Sequence, residues 1–121
     1  MDGAPKRILV VEDDRDLRQE LAAVISDLGV EVMQARDGVE GLERLAAGPL
    51  PSAILLDMWM PRLDGPGFLA ALREEPTLAH IPVVTMTGGP DPLQEGGVAS
   101  QLHKPFDLEE LAHILVSLCE A

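Results

Sequence analysis

Short runs in which every residue is apolar alternate along this chain with longer stretches whose apolar residues recur every three or four positions. Ile8 to Val11 is one such run, β-branched and unbroken. A strand that is apolar on every residue suits cover on both faces of a sheet. From Asp14 to Leu28 the apolar residues Leu17, Leu21, Ala22, Val24, Ile25 and Leu28 fall at helical spacing, with Asp14 placed to cap the start and Gly29 to close the end. Val30 to Ala35 predicts a second strand, Gly38 to Ala47 a second helix stopped by Gly48-Pro49, and Ser52 to Leu56 a third strand. Pro66 to Arg73 predicts a third helix, since proline suits a first helical turn. Pro82 to Met86 predicts a fourth strand and Ala99 to His103 a weaker fifth. The last helix has the clearest signal. Asp107 and Glu110 form a capping pair, and Leu108, Leu111, Ala112, Leu115 and Leu118 form a stripe to be buried.

Strands alternating with helices imply right-handed crossovers and a parallel sheet. The fold class expected is therefore α/β: a doubly wound, five-stranded parallel sheet in a three-layer α/β/α sandwich. Between Thr87 and Lys104 the chain carries Gly88, Gly89, Pro90, Pro92, Gly96 and Gly97. Glycine and proline oppose helix formation, so the helix there, the fourth in order, is expected to be short, irregular or missing. Ligand sites of such folds lie beyond the carboxyl ends of the strands, where the strand order reverses.

With 121 residues, 46% of them apolar, the chain suits one domain spanning residues 1–121. Nine Lys+Arg against 21 Asp+Glu give a formal charge of −12. That balance argues against nucleic acid or an anionic membrane as partner, because both are bound by cationic faces. The single cysteine, Cys119, excludes an intrachain disulfide and a cysteine-rich zinc site. A reducing, cytoplasmic setting fits. The four apolar residues near the N-terminus are too few for a signal peptide or a membrane span.

Polar residues stand at the strand ends. Glu12, Asp13 and Asp14 follow the first, Asp57 the third and Lys104 the fifth, while Thr87 ends the fourth. In a flavodoxin-like order, 2-1-3-4-5, the first and third strands are neighbours, so Glu12, Asp13 and Asp57 would share a pocket. Crowded carboxylates repel, and a hard divalent cation such as Mg²⁺ relieves this, using one or two carboxylates and keeping waters for a phosphoryl group to displace. Thr87 could donate a hydroxyl hydrogen bond to such a group, and Lys104, one of only two lysines, could pair with its charge. Taken singly, these residues could be helix caps, a strand β-branch and a surface charge. Four polar positions at four strand ends favour a site.

The chain resembles the receiver domain of bacterial two-component response regulators. The matching segments are Ile8-Leu-Val-Val-Glu-Asp-Asp14, Leu55-Leu-Asp-Met-Trp-Met-Pro-Arg-Leu-Asp-Gly65, Pro82-Val-Val-Thr-Met-Thr87 and Lys104-Pro-Phe106. The resemblance implies that Asp57 accepts a phosphoryl group from a phosphohistidine on a sensor histidine kinase or histidine phosphotransfer protein. It implies that Glu12, Asp13, Asp57 and the backbone carbonyl of Trp59 hold Mg²⁺, and that Thr87 and Lys104 contact the phosphoryl group. Pro61 and Gly65 match the loop leading into the third helix, and the Lys104–Pro105 bond is usually cis in the family. Gln101 stands where the family often has Tyr or Phe, which removes the usual aromatic partner of the threonine. The reading adopted is a phosphoacceptor rather than an enzyme. It is expected to be stand-alone and monomeric, signalling to a downstream protein target. The alternatives are a phosphorylation-independent adaptor and a Mg²⁺-dependent hydrolase working through an aspartyl phosphate, which would need a further acid-base residue and a cap over the pocket.

Overall fold

The computed structural model describes residues 6–58, 65–87, 100–103 and 107–120. The elements run β1 (Arg7–Val11), α1 (Arg15–Asp27), β2 (Glu31–Ala35), α2 (Gly38–Ala47), β3 (Ala53–Asp57), α3 (Gly65–Glu74), β4 (Val83–Thr87), β5 (Ser100–His103) and α4 (Leu108–Glu120). The strands pair in parallel in the order β2-β1-β3-β4-β5. The order reverses between β1 and β3. There Ile8 pairs with Ala53 and Val11 with Leu56, so the carboxyl ends of both strands finish side by side.

The unbroken apolar strands are explained by a core on each side of the sheet. Leu9 and Val11 of β1 join Ile54 and Leu56 of β3 in one cluster, under Leu45 of α2 and Phe68, Leu69 and Leu72 of α3. Ile8, Val10, Ala53 and Leu55 face the other way, against Leu21 and Ile25 of α1 and Leu111 and Leu115 of α4. Period-2 alternation thus delivers each residue of the apolar runs Ile8–Val11 and Ala53–Leu56 to one of two buried layers.

Helix ends follow the sequence. The Asp14 side chain accepts hydrogen bonds from the N–H groups of Asp16 and Leu17, capping α1. Gly29 follows α1 at φ 85°, a left-handed conformation suited to glycine. Leu28, counted in the apolar stripe of α1, is its C-cap and stays 40% exposed. Asp107 accepts from the N–H of Glu109 at the start of α4. Several boundaries differ from the sequence reading by one residue. β3 begins at Ala53 rather than Ser52 and includes Asp57, β4 ends at Thr87, and α3 already includes Gly65. The region expected to hold a short or irregular helix between β4 and β5 lies outside the described residues.

Candidate functional site

β1 and β3 run in register up to Val11 and Leu56, so the next residues, Glu12 and Asp57, arrive together at the carboxyl edge. Both are buried, at 1% and 2% exposure, while Asp13 is exposed. One carboxylate oxygen from each of Glu12, Asp13 and Asp57 lies within 4.8 Å of the other two. The structure therefore brings together the three acids that the sequence places at two strand ends.

The backbone around them is held closely. The Glu12 N–H donates to the Ala35 carbonyl at 3.0 Å, tying the end of β1 to β2. The Glu12 carboxylate accepts from the Asp14 N–H at 3.1 Å. Beyond Asp57, the Met58 N–H donates to the Met86 carbonyl at 3.0 Å, and the Gly65 N–H donates to the Met58 carbonyl at 3.3 Å. Met58 and Met86 are fully buried, as packing residues around the pocket should be.

The donor set is all oxygen, the class a hard divalent cation takes. Mg²⁺ bonds of about 2.1 Å put opposite ligands about 4.2 Å apart. A cluster spanning no more than 4.8 Å closes around such an ion with small side-chain movements. The three carboxylates fit the cation on chemistry and span alike.

Asp57 pairs in register with Met86, which places Thr87 one step further along β4 at the same edge. Gln101 of β5 pairs with Thr85. Trp59, Pro61, Lys104 and Pro105 lie outside the described residues. His80 and His113 are exposed, consistent with surface roles.

Comparison with known proteins decides the family. The family model for the response regulator receiver domain matches residues 8–116. The chain belongs to the response regulator receiver domain family. Response regulator MprA of Mycobacterium sp. (strain KMS) is 42% identical over 113 residues, covering 88% of this chain and 47% of that protein. Response regulator MprA of Mycobacterium bovis (strain BCG / Pasteur 1173P2) is 41% identical over 111 residues, covering 87% and 46%. The receiver chain thus spans about half the length of the curated relatives it matches. Among solved structures, chemotaxis protein CheY4 of Vibrio cholerae superposes at a TM-score of 0.84 with 28% identity, covering 95% of this chain and 99% of that one. The receiver domain of a signal transduction histidine kinase from Syntrophus aciditrophicus also gives 0.84, with 27% identity and coverage of 95% and 90%. The receiver fold, flavodoxin-like in strand order, and a place in two-component signalling follow. Among the described residues, no helix is long and apolar enough to cross a membrane.

Proposed function

We propose that this receiver accepts a phosphoryl group on Asp57 and uses the resulting acyl phosphate to change its affinity for a protein target. The observation that carries the reading is the meeting of Glu12, Asp13 and Asp57 at the point where the strand order reverses. A carboxylate oxygen of Asp57 attacks phosphorus of a phosphohistidine on a histidine kinase or phosphotransfer protein. The P–N bond breaks as the P–O bond forms, and the imidazole nitrogen leaves with the electron pair. Glu12, Asp13, Asp57 and the Trp59 backbone carbonyl would hold Mg²⁺. When bound, the ion neutralises charge that spreads over the phosphoryl oxygens, which is much of what this transfer needs. Lys104 supplies a second positive charge, and the Thr87 hydroxyl donates a hydrogen bond to a phosphoryl oxygen.

Burial of Asp57 limits water around the reacting carboxylate, while the exposure of Asp13 leaves a path by which a donor approaches. The new charge then biases a two-state surface. With Gln101 in place of an aromatic residue, that switch works without an inward-swinging ring. The strongly acidic chain favours a protein output over direct contact with nucleic acid, and the receiver is read as a cytoplasmic monomer and a phosphoacceptor rather than an enzyme.

Mass spectrometry after incubation with acetyl phosphate and Mg²⁺ tests the proposal. One phosphoryl adduct is expected on the parent and none on Asp57→Asn. An undiminished adduct on the variant refutes the assignment.

A further inference from the structure

Arg18 is a cation hydrogen-bonded to the acidic loop. Its Nη1 donates to the backbone carbonyl of Glu12 at 2.9 Å. Its Nε donates to the Gln34 side-chain carbonyl on β2 at 3.3 Å. Both acceptors are neutral groups, so the guanidinium sits beside the carboxylate cluster while leaving the carboxylate oxygens to other partners.

The Glu12 carbonyl belongs to the peptide plane that joins Glu12 to Asp13. Peptide planes are rigid, and only the torsions on either side rotate. Holding that oxygen therefore fixes the direction in which the chain enters Asp13 and leaves Glu12. The same segment is anchored once more, because the Glu12 N–H donates to Ala35, the residue after Gln34. Arg18 thus adds a second tie between this segment and β2, reaching across from α1. We propose that Arg18, braced by Gln34, is a positioning residue that sets the Glu12–Asp13 peptide for divalent-cation binding. The inference rests on the reading of Glu12, Asp13 and Asp57 as the cation site.

A guanidinium meets two acceptors on separate elements from one flat, rigid frame. A lysine ammonium is a point charge on a flexible stem and does not reproduce the fork. Arg18→Lys keeps the charge and loses the double link, which separates positioning from simple electrostatics. Partners that orient metal ligands directly typically matter by about 10–100-fold in affinity. Acting through a backbone carbonyl, Arg18 should be worth less, about 3–10-fold.

The test is calorimetric Mg²⁺ titration of the unphosphorylated full chain, with melting of each protein followed in EDTA. Arg18→Lys should raise the Mg²⁺ Kd by about 3–10-fold. Gln34→Met, which leaves Arg18 in place, should raise it in the same direction by less. The double variant should bind no worse than Arg18→Lys alone, because both changes break one linkage. Three results would each overturn the positioning role. One is an unchanged Kd in Arg18→Lys, even with a lowered melting temperature, since a purely structural role moves only the latter. The others are an unchanged Kd in Gln34→Met and losses that simply add. A parent protein that binds no Mg²⁺ overturns the cation-site reading itself, and the positioning role with it.

Discussion

Among the glycines Gly29, Gly41, Gly48 and Gly65, Gly65 is the position where adding one methyl group should disturb the site most. A Cβ built there lies 2.6 Å from the Met58 Cα, 2.6 Å from the Met58 Sδ and 3.2 Å from the Asp57 carbonyl oxygen. Ordinary contact begins near 3.4 Å, so the shortfall against the Met58 backbone is 0.8 Å. The sulfur can rotate away, but the Cα cannot move without its chain. Met58 is fully buried and bonded through its N–H to Met86, so its retreat is resisted from the far side. Overpacking of this kind costs about 1–3 kcal/mol. Alanine's better helix propensity, about 1 kcal/mol in a helix interior, offsets little at the first residue of α3. The net expectation for Gly65→Ala is a loss of about 1–2 kcal/mol in urea denaturation. The displaced residue adjoins Asp57, so the chemistry should suffer as well. Misplacing a reacting group by about 1 Å can cost about 100-fold in rate, and phosphorylation by acetyl phosphate should slow by about 10–100-fold. A variant with the parent's denaturation midpoint and phosphorylation rate would refute the close-approach argument.

Three further outcomes follow from the same geometry. Asp13→Asn removes one charge from the cluster and should weaken Mg²⁺ binding at least several-fold, while the metal-free protein gains about 1 kcal/mol from relieved repulsion. Coincident Mg²⁺ titrations of parent and variant would refute its role as a ligand. Trp59 is the only tryptophan in a chain without tyrosine, so Mg²⁺ or beryllofluoride should change the intrinsic fluorescence saturably, and an unmoved spectrum would place the indole away from the site. In EDTA the protein should retain its far-ultraviolet dichroism, and Mg²⁺ at 100 times its Kd should add about 2.7 kcal/mol of stability; loss of the fold on chelation would contradict this.

The sequence announces the elements because the two periods differ sharply: Ile8 to Val11 cannot be confused with the spaced leucines of Leu17 to Ile25. Boundaries were less legible for a physical reason. The start of β3 is set by the pairing of Ala53 with Ile8, a partner 45 residues away along the chain, and nothing local distinguishes Ser52 from Ala53. The acidic triad was legible because Glu12 and Asp57 directly follow apolar runs and Asp13 comes one residue after Glu12. Asp37 was not singled out, although the signal was present. It caps α2 by accepting from the Glu40 N–H at 2.8 Å, and Glu40 reaches back to the Arg36 N–H at 2.8 Å. An acid followed three residues later by glutamate is the sequence form of such a cap. The Arg18–Gln34 contact was illegible, because it exists only once β2 lies beside β1.

The site places three carboxylates together, and the strands beneath them explain how the fold tolerates this. At separations of up to 4.8 Å, a pair of charges repels by about 1 kcal/mol in water and about 3–4 kcal/mol at an effective dielectric constant of 20. Asp13 is exposed, so its pairs lie toward the lower figure, and the Glu12–Asp57 pair lies toward the higher. Directly before those two residues, Ile8, Leu9, Val10, Val11, Ile54, Leu55 and Leu56 are all fully buried. Each contributes about 1.5–3 kcal/mol of gross apolar burial. Replacing either charged end therefore leaves the strand that presents it anchored on both faces. The repulsion is held in place by the sheet rather than relieved by unfolding, which keeps the carboxylates poised for a cation. Stability and function share these two strands but draw on different residues of them, the apolar runs for the first and the terminal acids for the second.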